Sequence, residues 1–344
     1  MPGRSVAATR NRVVVTGASA GAGRAMAQRF GRAGWRVALL ARDPERLQAV
    51  RDEVVAAGGE ALVLPVDVAD EKAVFSARDQ VMHAWGGIDV WVNSAMATVV
   101  SPVGDMQPDE YRRVMDVTFL GCVNGTLAAL EAMRPRNAGV IVQVGSALAY
   151  RAIPLQSAYC AAKFALRGFT DSLRTELRHE RSRIRVSMVQ LPGMNTPQFD
   201  WARNRFLMKY RPVGVVYRPE VAAEAVYRAA TSSHAELWVG GSAIQAIVGQ
   251  LFIPRILDRM LARKAWDGQM DTIPERRGRA DNLERTVHGA YGVDGRFGEE
   301  AKDKAWILDP GTARTVLASA AVCVGAALMA RLRKGHRQRR LRDA

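Results

Sequence analysis

Short runs of β-branched and aliphatic residues alternate with longer amphipathic segments from residue 12 onward, and this alternation limits the fold most. The runs lack strict apolar–polar alternation, so each strand is expected to be buried on both faces. Such strands, separated by helices, form a parallel sheet with helices on both sides. The sequence therefore predicts an α/β fold with a doubly wound, Rossmann-type sheet of seven parallel strands. The expected strands are 12–16, 36–41, 61–66, 88–93, 139–145, 184–190 and 236–240, and the expected helices lie near 22–33, 44–57, 70–85, 108–133, 156–180 and 219–231.

A glycine-rich turn, TGASAGAG (16–23), joins the first expected strand to the first expected helix. Backbone N–H groups and the positive helix end at such a turn face a pyrophosphate, and the glycines let it approach closely. A glycine pattern is weak evidence alone, but here it lies at the strand-to-helix junction that the mechanism requires. The sequence therefore predicts a dinucleotide site. Its expected contact residues in this turn are Gly17, Ser19, Gly21, Ala22 and Gly23.

The residue after the second strand decides which dinucleotide fits. An acidic side chain there would bind the adenosine ribose 2′-hydroxyl of NAD. Instead the strand ends at Ala41 and Arg42 follows, and a guanidinium can bind a phosphate through two hydrogen bonds. NADP is the expected cofactor, and NAD stays open because Arg42 could also be a solvated residue at a helix start. Asp67, which follows the third strand, is expected to contact adenine through its side chain or through the backbone of its neighbour Val68.

A serine, a tyrosine and a lysine form a second group of candidate residues. Tyr159 and Lys163 are four residues apart on one expected helix, so both project from one face, about 6 Å apart at Cβ. An ammonium near a phenol lowers a pKa that starts near 10, as a tyrosine needs for proton exchange with an alcohol or ketone near neutral pH. Ser146 ends the fifth strand, where open α/β sheets bind ligands, and can donate to a substrate oxygen. A buried tyrosine with a chance lysine one turn on is the structural alternative.

Taken together, these motifs resemble those of the short-chain dehydrogenase/reductase family over about residues 10–240. The resemblance rests on TGASAGAG, Asp67, NSA (93–95), Ser146, YCAAK (159–163) and Pro192-Gly193. It implies that Tyr159 is the general acid/base, that Lys163 binds the nicotinamide ribose and lowers the tyrosine pKa, and that Ser146 orients the carbonyl. It also implies a homodimer or homotetramer built through the helices near 108–133 and 156–180. The further cofactor contacts expected from the matching motifs are Asn93, Ala95, Pro192 and Gly193.

The chain departs from the family pattern at two positions. Met96 stands where the family has a glycine beside the cofactor, and Thr118 stands where it usually has an asparagine that helps to hold a water for proton transfer. Asn124 does not replace that asparagine simply, because six residues along a helix turn it about 240° around the axis. Thr118 is kept among the candidate catalytic residues, since a threonine can also bind a water.

The residue pattern along the chain predicts three segments. A dinucleotide-binding catalytic domain is expected over 1–263, a polar, extended and weakly ordered segment over 264–312, and a short apolar helix with a basic tail over 313–344. The apolar run 315–330 holds sixteen residues. As a helix it would be ~24 Å long, which is shorter than the ~30 Å hydrocarbon core of a bilayer. A helix that lies on the inner membrane surface or docks on its own domain is therefore favoured over one that spans the membrane. The apolar stretch 243–257 is a second candidate for membrane contact, although covering the substrate site is its expected role.

Composition excludes several other classes of protein. The net charge is +15, and residues 331–344 hold seven Lys or Arg and one Asp. Such a basic tail is typical of solvated charge, of contact with an anionic membrane surface or of nonspecific polyanion contact, rather than of specific nucleic-acid binding. The remaining excess is mostly arginine, as high-GC bacterial genes often encode. Three cysteines at unrelated spacings fit a reducing compartment, and the five histidines form no metal-ligand pair, so no metal is expected. No cleavable signal is expected at the N-terminus, and the predicted location is cytoplasmic, with peripheral contact at the inner membrane surface left open.

Three functions are compatible with these observations. The first is an NADP-dependent oxidoreductase that interconverts a secondary alcohol and a ketone or aldehyde. The second is a non-catalytic dinucleotide-binding regulator or membrane-associated scaffold, suggested by Thr118 and Met96. The third is a membrane or polyanion adaptor acting through its tail. The complete set of Ser146, Tyr159 and Lys163 favours the enzyme. Its substrate is expected to be lipid-like, steroid-like or polycyclic, because the expected pocket residues are Met96, Leu148, Met194, Phe199, Trp201 and Phe206.

Overall fold

The computed structural model describes residues 11–276 and 278–311. The chain divides into two compact units, Met1–Ile307 and Leu308–Ala344, and only residues 308–311 of the second unit are described. The predicted apolar helix over 315–330 and the basic tail over 331–344 therefore lie outside the described residues. So does most of the basic N-terminal stretch.

Seven parallel strands form the centre of the first unit, as the alternating pattern predicted. They lie in the order β12-β7-β6-β4-β1-β2-β3, and a short strand not predicted from the sequence, β14, continues the sheet beside β12. The chain order of these strands changes direction at β1 and β4, so their carboxyl ends border the crevice where open α/β sheets bind ligands. The strands are β1 (Arg12–Thr16), β2 (Arg36–Ala41), β3 (Glu60–Pro65), β4 (Val90–Asn93), β6 (Gly139–Ser146), β7 (Ile184–Leu191), β12 (Glu236–Val239) and β14 (Ile307–Leu308).

Short strands outside this sheet pair in the loops above its carboxyl edge. β5 (Val99–Val100) pairs with β9 (Arg203–Asn204), and β8 (Gly193–Met194) pairs with β11 (Val216–Tyr217). β10 (Met208–Tyr210) pairs with β13 (Met270–Pro274) in antiparallel orientation. These pairs give structure to the region after β7, where the sequence predicted a substrate loop.

Helices cover both faces of the sheet. α1 and α8 pack together on one face, and α3 and α5 pack together on the other. Alternate residues of β1 follow this division, because Val13 and Val15 belong to one hydrophobic core and Val14 belongs to the second. The helices are α1 (Gly21–Arg32), α2 (Pro44–Ala56), α3 (Glu71–Trp85), α4 (Pro108–Met115), α5 (Gly121–Met133), α6 (Ser157–His179), α7 (Gln198–Trp201), α8 (Pro219–Thr231), α9 (Gly241–Phe252) and α10 (Pro254–Lys264).

The helical stretch expected near 108–133 is interrupted by a π-helical turn, Asp116–Leu120, between α4 and α5. Such turns widen a helix locally and are frequent at functional sites. Within the described residues, the whole stretch Pro108–Arg136 also has the length and hydropathy to cross a bilayer. However, 56% of its most apolar window is buried inside the protein, which is typical of a core helix.

The segment after α10 has little regular structure, in line with the extended chain that its composition predicts. It is nevertheless held at many points, which the composition did not indicate. Leu283 is completely buried, Phe297 is 3% exposed, and Arg296 forms ion pairs with Asp200 and Asp271. This part of the chain therefore belongs to the first unit and contributes to its interior.

Candidate active site

The glycine turn between β1 and α1 has the close backbone packing that a pyrophosphate site needs. Gly17 has a φ of +69°, and a Cβ there would lie 2.9 Å from Ala95 Cα. A Cβ at Gly23 would lie 2.1 Å from the Gly17 carbonyl oxygen, so a side chain at either position would displace the turn. The turn borders a cavity of about 180 Å³, which is also lined by Arg42, Asp67 and Val68.

The Arg42 guanidinium lines this cavity but is bound to backbone carbonyls from the far end of the chain. Its Nη1 donates to the carbonyls of Leu283 and Glu284 at 3.3 and 3.0 Å, and its Nη2 donates to that of Asn282 at 2.6 Å. Burial lowers its pKa, while Asp67 has the opposite effect. The sequence did not indicate these contacts, because their partners are about 240 residues away.

Arg46, in the first turn of α2, is a second guanidinium at the same cavity. It pairs with Asp43 at 2.7 Å, and its side chain is 11% exposed. Its Nε and Nη1 are buried and have no hydrogen-bond partner. Arg46 was not among the predicted site residues, although its place just after the second strand was a signal for it.

Asp67 and its neighbour Val68 also line this cavity. Asp67 accepts a hydrogen bond from Arg113 at 2.5 Å and another from the Ala69 backbone N–H at 3.1 Å. The Val68 carbonyl accepts from Asn124 at 2.9 Å, so Asn124 is engaged away from Lys163. The adenine contact of Asp67 stays a prediction, and the structure shows that Arg113 already shares this carboxylate.

Asn93 and Ala95 differ in their relation to the cavity. Ala95 lines it, and its backbone N–H donates to the Thr16 hydroxyl at 3.2 Å. Asn93 is 1% exposed and donates to the Cys122 carbonyl, Thr126 and Gln143, so it ties β4 to α5 and β6. These contacts place Asn93 in the scaffold, whereas Ala95 borders the candidate cofactor site.

A second cavity, of about 470 Å³, is lined by Ser146, Tyr159 and Lys163. Ser146 is the last residue of β6, and the other two project from α6. The Lys163 ammonium lies 5.5 Å from the centre of the Tyr159 ring, and its Nζ donates to the Val144 carbonyl at 2.8 Å. Pro192 and Gly193, expected from the family motif, line the same cavity.

The electrostatics of this group differ from the sequence-based expectation. Burial raises the pKa of Tyr159 above its ordinary value, while a hydrogen bond with Ser146 has the opposite, smaller effect. Burial also lowers the pKa of Lys163. The predicted lowering of the tyrosine pKa is therefore corrected for this structure: desolvation dominates, and the Lys163 Nζ bonds to the Val144 carbonyl. A protonated phenol at neutral pH can act as a proton donor.

Thr118 lies in the π-helical turn and is completely buried. Its hydroxyl accepts from the Ala97 backbone N–H at 2.9 Å and donates to the Ala97 carbonyl at 3.0 Å. The Thr118 hydroxyl thus uses both its donor and its acceptor capacity on the backbone of Ala97. A role of Thr118 in proton transfer stays a prediction. In this structure its hydroxyl forms a structural contact with Ala97.

The second cavity is mostly apolar, as expected, but its lining differs in part from the prediction. Met96, Leu148, Met194 and Phe199 line it. Trp201 instead borders the smaller cavity, and Phe206 packs into a separate cluster beside Phe199. Helices α9 and α10 supply a wall, so residues of the stretch 243–257 border this cavity, while its covering of a substrate site stays a prediction. That wall consists of Ser242, Ala243, Gln245, Ala246, Leu257, Met260 and Leu261.

The two cavities adjoin, because five residues line both of them. These are Ala22, Ser94, Met96, Thr196 and Gln198. A ligand that extends from the glycine turn therefore reaches the cavity that holds Ser146, Tyr159 and Lys163. Within the described residues, no group of three or more His, Cys, Asp or Glu side chains could hold a metal ion.

Comparison with known proteins identifies the family. The family model described as short chain dehydrogenase matches residues 11–205. An uncharacterized oxidoreductase of Bacillus subtilis (strain 168), YxnA, is 33% identical over 263 residues, which are 75% of this chain and 73% of that protein. Human dehydrogenase/reductase SDR family member 7 is 37% identical over 169 residues, or 48% of this chain and 50% of that protein. The chain belongs to the short-chain dehydrogenase/reductase family, as its motifs indicated, and is thus an oxidoreductase of the dehydrogenase/reductase class.

Solved structures agree with this assignment. A metagenomic short-chain oxidoreductase crystallised in complex with NADP has a TM-score of 0.55 and 33% identity, covering 64% of this chain and 90% of that one. A short-chain type dehydrogenase/reductase from Mycobacterium marinum has a TM-score of 0.56 and 27% identity, covering 69% and 90%. Both share the doubly wound sheet described above.

Proposed function

We propose that this protein is an NADP-dependent oxidoreductase that interconverts an apolar secondary alcohol and the corresponding ketone or aldehyde. The observation that carries the proposal is the junction of the two cavities, one bordered by the glycine turn and the other by Ser146, Tyr159 and Lys163. The similarity to a short-chain oxidoreductase in complex with NADP supports the same cofactor. When bound, NADP(H) supplies or accepts the hydride.

The groups of this chain that fit NADP are the glycine turn and two arginines. The glycine turn leaves no space for side chains where the backbone must approach a pyrophosphate. Arg42 and Arg46 place two guanidinium groups at the far end of the same cavity, and two nitrogens of Arg46 have no protein partner. A 2′-phosphate is the kind of anion that such donors bind. NAD, which lacks this phosphate, would leave these two nitrogens of Arg46 unsatisfied.

The reacting groups have separate tasks. Ser146 donates a hydrogen bond to the substrate oxygen and holds it toward Tyr159. The Tyr159 phenol, kept protonated by its raised pKa, donates its proton to that oxygen during reduction. Lys163 places a positive charge beside the ring, which stabilises the phenolate that this transfer leaves. The apolar walls from α9 and α10 exclude water and select an apolar substrate.

A homodimer or homotetramer is part of the proposal. α5, the adjoining π-helical turn and α6 each carry an exposed large apolar side chain, namely Leu127, Leu120 and Phe164, which are 42–43% exposed. Association through these helices would bury all three. The expected cytoplasmic location also stays a proposal.

A panel of ketones and aldehydes, tested for NADPH consumption with the purified full-length protein, tests the activity. Reduction of apolar ketones with NADPH preferred over NADH supports the proposal. The second candidate, a non-catalytic dinucleotide-binding protein, is favoured by one observation, the engagement of Thr118 with Ala97. Tight NADPH binding without turnover on any carbonyl would support that candidate.

A further inference from the structure

Residues 281–292, here called the strap, cross the adenosine end of the candidate cofactor site. Arg42 binds three successive carbonyls of the strap, and Arg113 donates to the Leu283 carbonyl at 3.0 Å. At the other end, the Gly21 backbone N–H donates to the Gly292 carbonyl at 2.9 Å. The strap is therefore fixed to β2, α4 and the glycine turn.

Packing of its own side chains also holds the strap in place. Leu283 is completely buried and belongs to the same hydrophobic core as Val68. The Tyr291 ring lies 4.7 Å from that of Trp201, and the Arg46 guanidinium lies 5.2 and 5.7 Å from the centres of these two rings. The strap is thus a packed part of this site.

Polar groups without partners remain where the strap meets the cavity. They are Nε and Nη1 of Arg46 and Oδ1 of Asn282, all buried, and both residues line the cavity together with Thr286. Buried polar groups are normally hydrogen-bonded, so unsatisfied ones at a cavity indicate a polar ligand. Donors from a guanidinium suit a phosphate, whereas both Nη atoms of Arg42 are already bound to the strap.

We propose that the strap forms a second wall of the adenosine site, in which Arg46 is the residue that selects the 2′-phosphate and Arg42 is a positioning residue that holds the strap closed. Cofactor then enters and leaves only when the strap opens. This inference rests on the proposed NADP binding. Residues outside the family's motifs, Arg46 and the strap, would then directly affect which cofactor binds and how fast the cofactor exchanges.

One variant tests the phosphate role of Arg46 by direct binding. Arg46→Gln should weaken NADPH binding at least about tenfold and leave NADH affinity unchanged, measured by calorimetry on the full-length protein. Arg51→Gln, on the exposed side of the same helix, is the matched control and should change neither affinity. An equal loss for both nucleotides, or no loss, would contradict the phosphate role of Arg46.

Leu283→Ala removes the buried anchor of the strap and should accelerate NADPH release at least about fivefold in a stopped-flow displacement experiment. A thermal melt verifies that the variant is folded, and Leu207→Ala, at an exposed site, is the control. Unchanged release would show that the strap is not a wall, and tighter binding would show that it competes with the cofactor. Absence of NADPH binding in the unmodified protein would instead refute the proposed cofactor itself.

A separate observation concerns the outer face of α9 and α10. Phe252 ends α9, and Ile256 and Met260 lie at i, i+4 spacing on α10; they are 72%, 58% and 43% exposed. Arg255 and Arg259 form a parallel, exposed basic row, and Asp258 between them is paired with Arg151. An apolar row beside a basic row is the pattern of a helix that lies at an anionic membrane surface.

The same helices connect this face to the larger cavity. Leu257 and Leu261 line the cavity from α10, and Met260 both lines it and is exposed. We infer that the outer face of α9 and α10 docks on an anionic bilayer, so that an apolar substrate passes between the lipid and the cavity. This contact would add to any made by the tail, which lies outside the described residues.

Sedimentation with vesicles of mixed phosphatidylglycerol and phosphatidylcholine tests this docking. Phe252→Ser with Ile256→Ser, and separately Arg255→Gln with Arg259→Gln, should each reduce the bound fraction of the full-length protein at least threefold in low salt. Val103→Ser, an exposed apolar site elsewhere, should have no effect. Binding of these variants equal to that of the unmodified protein would contradict the inference. A change of oligomer mass in the absence of lipid would also contradict it, because it would identify the face as a protein interface.

Discussion

At the scale of single residues, spacing indicated which side chains meet, whereas their electrostatic state depended on burial. Ser146, Tyr159 and Lys163 line one cavity, as their sequence positions at a strand end and on one helix face suggested. The direction of the Tyr159 pKa shift was not predictable, because a residue pair in a sequence carries no information about desolvation. The partners of Arg42 were not predictable either, since they are backbone carbonyls, which have no sequence signature.

Thr118 allows a prediction at this scale. Thr118→Val should lower the free energy of unfolding by roughly 1–3 kcal/mol, because the buried N–H and carbonyl of Ala97 would lose their partner. Denaturant unfolding measures this, and Thr231→Val, at an exposed position, should change stability by less than about 0.5 kcal/mol. Unchanged stability combined with a large loss of turnover would show that Thr118 acts in the reaction instead.

At the scale of elements, hydrophobic patterning predicted the seven long strands and the main helices with small errors at their ends. The π-helical turn Asp116–Leu120 was missed, because a local change in helix winding leaves the apolar pattern almost unaltered. The packing of the segment after α10 was also missed. Its few buried residues, such as Leu283 and Phe297, are isolated among polar ones and produce no periodic signal.

The exposed apolar residues of α5 and α6 lead to a prediction about assembly. The unmodified protein should sediment as a dimer or tetramer, and Leu127→Glu with Phe164→Glu should shift it toward the monomer, because two charges would enter an apolar contact. Analytical ultracentrifugation measures the masses. Val103→Glu serves as the control at another exposed site. A monomeric unmodified protein would refute the proposed assembly.

At the scale of the whole molecule, several buried tyrosines make stability depend on alkaline pH. Burial raises the pKa of Tyr159 and Tyr210, and burial together with Glu236 raises that of Tyr150. In the unfolded chain these phenols titrate near 10. The folded state therefore retains protons that the unfolded state loses, so the stability that is complete below pH ~10 is lost as the pH rises further.

This linkage is measurable by denaturant titration at a series of pH values. The free energy of unfolding should fall progressively above about pH 10, as the phenols of the unfolded chain ionise. Tyr210→Phe should make that fall less steep, because one of the buried phenols no longer titrates. A fall of equal steepness in the variant would show that other groups control alkaline stability.

The most direct test of the central claim is the rate of NADPH-dependent ketone reduction by Tyr159→Phe. The variant keeps the ring but lacks the proton donor, so turnover should fall at least about a hundredfold while NADPH affinity barely changes. Tyr227→Phe, in the aromatic cluster with Phe30 and Trp35 away from both cavities, should retain full activity. Turnover by Tyr159→Phe equal to that of the unmodified protein would contradict the assignment of Tyr159 as the general acid.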